Sequence, residues 1–102
     1  MTRMQNSANG QNTADGAGYH FRLYVAGNSP NSARARENLK RICEVSYRGA
    51  RIETIDVTED PRRCLEDGVL VTPTLVRVLP QPCKRIIGDL SDQDSVAGLL
   101  AS

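Results

Sequence analysis

Gly68 to Ser91 reads GVLVTPTLVRVLPQPCKRIIGDLS, and the rest of the chain is arranged around it. It contains the strongest apolar runs and three of the five prolines, Pro73, Pro80 and Pro82. These prolines divide two short β-rich runs, Leu75 to Leu79 and Arg85 to Gly88, which read as adjacent strands joined by a proline-containing turn. A run such as VLVTPTLVRVL also fits a buried helix, and Gly68, Gly88 and Gly98 weaken commitment to any one element.

Upstream, Phe21, Leu23 and Val25 alternate with Arg22, Tyr24 and Ala26, the period of a strand with one face more apolar than the other. Gly27 and Asn28 break that pattern. Ser29 is placed to cap a helix with Pro30 at its first position, and Ala35, Leu39, Ile42 and Cys43 recur at helical spacing to about Tyr47. Glu37 and Arg41 lie four apart in the favourable order, and Gly49 can end the helix. Arg51 to Val57 is short and β-branched, so it reads as a second strand, parallel to the first because a helix connects them. Asp60 before Pro61 starts a short helix carrying Cys64 and Leu65, which Gly68 terminates. After the hairpin, Ser91 with Asp94 resembles a capping box, and Val96, Leu99 and Leu100 give a last helix its apolar face.

The 102 residues, 39% hydrophobic, predict one small domain and contain no apolar run long enough to span a bilayer. Met1 to Gly18 is rich in Asn, Gln, Ser, Thr and Gly and predicts a disordered arm, leaving a domain over 19–102. The arm lacks the apolar core of a secretory signal, so the cytoplasm is the expected compartment. The domain keeps 12 basic and 11 acidic groups, a balance that gives no basis for bulk polyanion binding. With 4% aromatic residues the chain also lacks a stacking platform for nucleic acid. A domain of this size buries roughly 60 to 65% of its unfolded surface, so an oligomer would support its core.

Candidate chemistry is sparse. Cys43, Cys64 and Cys83 form no CxxC pair and no metal-ligand spacing, and they read as separate thiols in a reducing compartment. His20 is the only histidine and begins a strand beside the arm, which fits a solvated terminal residue better than a catalytic base. Glu66 with Asp67, and Asp92 with Asp94, sit beside helix ends, where acidic residues favour the dipole or face water. Arg77, Lys84 and Arg85 lie on or near the hairpin and Arg34 and Arg36 early in the first helix. They form either an ordinary solvated charged face or a cationic patch for an acidic protein surface.

VTPTLVRVLPQPCKRIIGDLS, with LYVAGNSPNS at Leu23 to Ser32 and IDV at Ile55 to Val57, resembles the KaiB family of circadian-clock proteins over about Phe21 to Leu100. The order βαβαββα, with Thr72-Pro73 leading into the third strand, resembles the thioredoxin fold. The resemblance implies two folds of one sequence: a thioredoxin-like monomer that binds its partner, and a tetrameric ground state in which the half after about Gly49 is rearranged. It implies a non-enzymatic regulator, without cofactor or metal, that binds a KaiC-type ATPase through positions matching Arg34, Arg77 and Lys84, with Arg85 beside them. Pro73, Pro80 and Pro82 are then the fold-switch prolines, since an X-Pro bond prefers trans by only about 0.5–1 kcal/mol and isomerises in tens of seconds or longer.

Three departures bear on this. Pro80, Gln81 and Pro82 stand where many members have three prolines, and the chain ends at Ser102 without the acidic tail of cyanobacterial members. Glu53 replaces an often basic position on the second strand, which puts a KaiA-type partner in doubt. A system with only KaiB and KaiC relatives, serving stress adaptation rather than a self-sustained rhythm, is the expectation that accommodates them. The competing reading is a thioredoxin-like thiol-dependent redox enzyme using Cys43, Cys64 or Cys83. Its weakness is that the loop Gly27 to Asn31, where such enzymes carry their cysteines, contains no sulfur.

Overall fold

The computed structural model describes residues 16–102, so residues 1–15 of the expected arm lie outside the described residues. Gly16 to Gly18, assigned to the arm by composition, belong to the folded part. Gly16 is buried, its amide donates to the Arg48 carbonyl, and a Cβ there would collide with the Tyr47 carbonyl.

The elements follow the expected order βαβαββα: β1 His20–Val25, α1 Pro30–Ser46, β2 Arg51–Asp56, α2 Pro61–Glu66, β3 Thr74–Leu79, β4 Lys84–Ile87 and α3 Gln93–Ala101. The sheet order is β2-β1-β3-β4, with β1 parallel to β2 and antiparallel to β3, and β3 antiparallel to β4. This is the thioredoxin-like arrangement.

The β1 sequence shows why the sheet needs cover on both faces. Phe21, Leu23 and Val25 pack with Ala35, Leu39, Ile42 and Cys43 of α1, Leu75 of β3, and Val96 and Leu100 of α3. Tyr24 points the other way, into a second cluster with Ile55, Cys64, Val69 and Val76, which α2 covers. Alternation predicts one apolar face and one mixed face. The mixed face is buried as well, because the Tyr24 hydroxyl donates to Asp67 Oδ2 and so carries its polar atom into the interior satisfied.

Capping explains the α1 start. Ser29 Oγ accepts from the Ser32 amide at 3.4 Å, Pro30 occupies the first turn, and the buried Ser32 Oγ accepts from the Ala26 amide at 3.0 Å. At α3 the expected box is displaced by one residue. Asp92, not Ser91, is the cap, and its carboxylate accepts from the Ser95 amide and hydroxyl. The Ser91 amide is already bound to Asp89 Oδ1 in an Asx turn, and buried Leu90, at φ 63°, turns the chain inward ahead of the helix. Leu90 is the non-glycine residue in the left-handed region among those described, and its side chain plugs the first core cluster.

The hairpin pairs Thr74 with Ile87, Leu75 with Ile86, Val76 with Arg85 and Arg77 with Lys84. Gly88, at φ 123°, leaves the ladder, and its amide donates to the Pro73 carbonyl. Pro73 is buried ahead of β3, Pro80 and Pro82 are exposed in the turn, and all three X-Pro bonds are cis.

Candidate interaction site

The register separates the cations that the sequence grouped. Arg77 lies two residues after Leu75 and therefore shares its face, toward α1 and α3. It is 1% exposed, which corrects the expectation of a surface residue. Its Nη1 donates to the Leu100 carbonyl at 2.6 Å and to the Ser102 main-chain oxygen at 3.3 Å, and its Nη2 to the Pro82 carbonyl at 2.7 Å. Carbonyls at the C-terminal end of a helix carry its negative dipole, and they receive this charge where water would otherwise be needed.

Lys84, opposite Arg77 and on the same face, is half-buried and reaches Ser102 Oγ at 2.8 Å. Arg85 faces the α2 side, where its guanidinium donates to the Gly68 carbonyl at 3.0 Å and to that of Asp67. Arg34 is exposed in the first turns of α1, and its Nε contacts Asp89 Oδ2 at 3.2 Å, just beyond β4. Lys84 and Arg34 thus sit at opposite ends of β4, and Lys84 and Arg85 on opposite faces. The structure brings Lys84 to Arg77 and leaves Arg34 and Arg85 apart from them. Arg36 contacts Asn28 Oδ1 at 3.2 Å.

On the α2 face the sequence grouping missed a charged network. Glu53 accepts from Arg22 Nε at 3.0 Å and Arg63 Nη2 at 3.2 Å, with His20 Nε2 at 3.4 Å. Asp67 adds contacts to Arg63, Arg22 and Tyr24. Its strand members were legible as alternate residues of β1 paired with β2, Arg22 standing opposite Glu53 in register. The hydrogen bond from Arg22 holds the Glu53 carboxyl below its ordinary range, and burial, then Asp67, push the Tyr24 phenol up.

The thiols lie far apart in the architecture. Cys43 is in the α1-side cluster, Cys64 in the α2-side cluster, and Cys83 is exposed in the β3–β4 turn. Burial pushes the Cys43 thiol up to about 11, away from the thiolate that exchange chemistry needs. At the α1 N-terminus, where thioredoxin-like enzymes hold their reactive cysteine, the Gly27 amide donates to Asp56 Oδ1 and Ser29 caps the helix. No cluster of His, Cys, Asp and Glu fit to hold a metal occurs among the described residues, and no helix there is long and apolar enough to cross a membrane.

A family model described as the KaiB domain matches residues 22–101. The chain is 53% identical over 79 residues to the circadian clock oscillator protein KaiB of Synechococcus elongatus, covering 76% of this chain and 78% of that one. It is 51% identical over 79 residues to the protein of the same description from Parasynechococcus marenigrum, covering 76% of each. Among solved structures, the N-terminal domain of Synechococcus elongatus SasA superposes with a TM-score of 0.63 at 23% identity, covering 80% of this chain and 78% of that one. Mitochondrial thioredoxin 3 of Saccharomyces cerevisiae gives 0.68 at 19% identity over 82% and 77%. These last two show the fold alone. The sequence identities, spread over the whole βαβαββα body, show that the chain belongs to the KaiB family.

Proposed function

We propose that this chain is a non-enzymatic clock or clock-like regulator that binds a KaiC-type ATPase and modulates its phosphorylation and ATPase cycle. The observation that carries this reading is the 53% identity to circadian clock oscillator proteins across 79 residues. The thiol geometry supports it against the redox alternative, since a buried Cys43, a buried Cys64 and a distant Cys83 leave no nucleophile beside a resolving partner. In this reading the chain acts in the cytoplasm, and Glu53, whose carboxylate Arg22 and Arg63 engage within the protein, puts a KaiA-type partner in doubt.

In this reading Arg34, Lys84 and Arg85 meet acidic partner groups at separate points of one extended contact, and Arg77 supports the hairpin from inside. Titration of each variant against the KaiC-type ATPase in the presence of ATP tests it. Arg34→Glu, Lys84→Glu and Arg85→Glu should each weaken binding by on the order of 2 kcal/mol where the contact is desolvated. Wild-type affinity in all three would remove these residues from the interface. A variant with all three cysteines replaced by serine should bind as the parent does, and complete loss of function in it would favour the thiol enzyme. The partner-binding monomer is linked by mass action to a tetrameric ground state, so dilution should raise the competent fraction. Sedimentation that gives one species at every concentration would exclude that linkage.

A further inference from the structure

α1 packs over β1 and leaves the edge strand β2 open on the same face of the sheet. Ile52 stands in register with Phe21 and therefore faces α1, yet it is 43% exposed where Phe21 is 0% exposed. Thr54, the next residue of β2 on that face, is exposed as well. Between the end of α1 and this uncovered strand lies a groove of about 430 Å³, lined by Lys40, Cys43, Glu44, Tyr47, Arg48 and Ile52. That volume is within the range of small-molecule sites. The groove rests on the core: Cys43 and Tyr47 are buried members of the first cluster, and the Tyr47 hydroxyl is committed to the Ala97 carbonyl at 2.8 Å.

The cations of the groove are uncommitted. Arg34, Arg63 and Lys84 have partners within the chain, whereas among the described residues Lys40 and Arg48, both exposed, make no ion pair and no side-chain hydrogen bond. The helix dipole does not account for them, since the last turn of α1 holds no basic residue. Nor does the helix end turn free carbonyls on an incoming anion. The carbonyls of Cys43, Tyr47 and Arg48 already accept from the amides of Tyr47, Ala50 and Gly16. An anion is therefore favoured here, and an aromatic body suits a wall made of a tyrosine, an isoleucine and the apolar stems of Lys40 and Arg48. Glu44 lines the same groove and would repel a second negative charge.

We propose that this groove binds a small aromatic monoanion, an arylcarboxylate or arylsulfonate, with its ring against Cys43, Tyr47 and Ile52 and its charged group between Lys40 and Arg48. Arg34, Lys84 and Arg85 do not line it, so the site is independent of the contact with the ATPase.

Titration of the full chain with anilinonaphthalene sulfonate at physiological ionic strength tests this. One equivalent should bind, and the amide NMR shifts it causes should centre on residues 40–52. Lys40→Glu and Arg48→Glu should each weaken binding by roughly fivefold or more, as the loss of a charge-assisted hydrogen bond requires. Arg62→Glu, at an exposed cation of α2 on the other face of the sheet, makes the same charge change and should alter binding by less than about twofold. Parent affinity in both groove variants, or an equal loss in Arg62→Glu, would overturn the proposal. So would shifts centred on the exposed Leu65, Leu70 and Val71, which would place the dye on another apolar surface. Binding that appears only once residues 2–15 are removed, or only as an oligomer dissociates, would give the groove to that segment or to a second copy and overturn it too. Far-UV spectra check that the variants fold, and should one fail, the shift map of the parent still locates the site.

Discussion

Glu53 carries its role through its neighbours. With Arg22 and Arg63 donating to it, its carboxyl titrates below the ordinary value of 4.5, so its contribution to stability is complete above that pH and is lost as pH falls through the lowered folded-state value. Urea unfolding of the parent and of Glu53→Gln should therefore differ most near neutral pH and converge as pH falls through the lowered folded-state value. A constant difference down to acid pH would show that the ion network is not responsible. Tyr24→Phe tests the same face differently. It keeps the ring in the Ile55, Cys64 and Val76 cluster but deletes the bond to Asp67, and should cost about 1 kcal/mol in a denaturant titration. The cations illustrate what sequence can say about a single residue. Period-two alternation in TLVRVL already puts Arg77 on the face of Leu75, so its burial was legible once the strand was accepted. Its acceptors were not, because Leu100 and Ser102 lie more than twenty residues away.

Among the elements, α1 and α3 differ in how plainly their starts are written. Ser29 followed by Pro30 marks α1 without ambiguity, and the structure has that cap. For α3, Ser91 and Asp92 compete, and tertiary placement of Leu90 selects Asp92. Asp92→Ala should thus cost about 1 kcal/mol and Ser91→Ala a few tenths at most, by thermal or urea unfolding. The reverse ranking would restore the box expected from the sequence. The hairpin was readable to within one residue because prolines cannot sit inside a ladder, and they bound its two runs. Its register was fixed by burial: Leu75 and Ile86 must share the α1–α3 face, and a shift by one residue would turn both to the other side.

Across the whole molecule, two cores on opposite faces of one sheet give the cysteines distinct accessibilities. Under native conditions a thiol reagent should modify Cys83 rapidly, whereas Cys43 and Cys64 should react only through opening, at least about a hundredfold more slowly, as followed by intact mass. Equal rates for all three would mean that the layers α1 and α2 form do not stay closed. The sequence by itself determined the element order, the hydrophobic faces and the absence of sulfur at the α1 entrance, because local period, caps and proline positions act over a few residues. Only the tertiary structure decided which main-chain oxygens receive the Arg77 guanidinium and that Arg34 lies at the far end of β4. Each of these depends on which strand lies beside which and on which distant carbonyls meet a charge, quantities that no local window of residues contains.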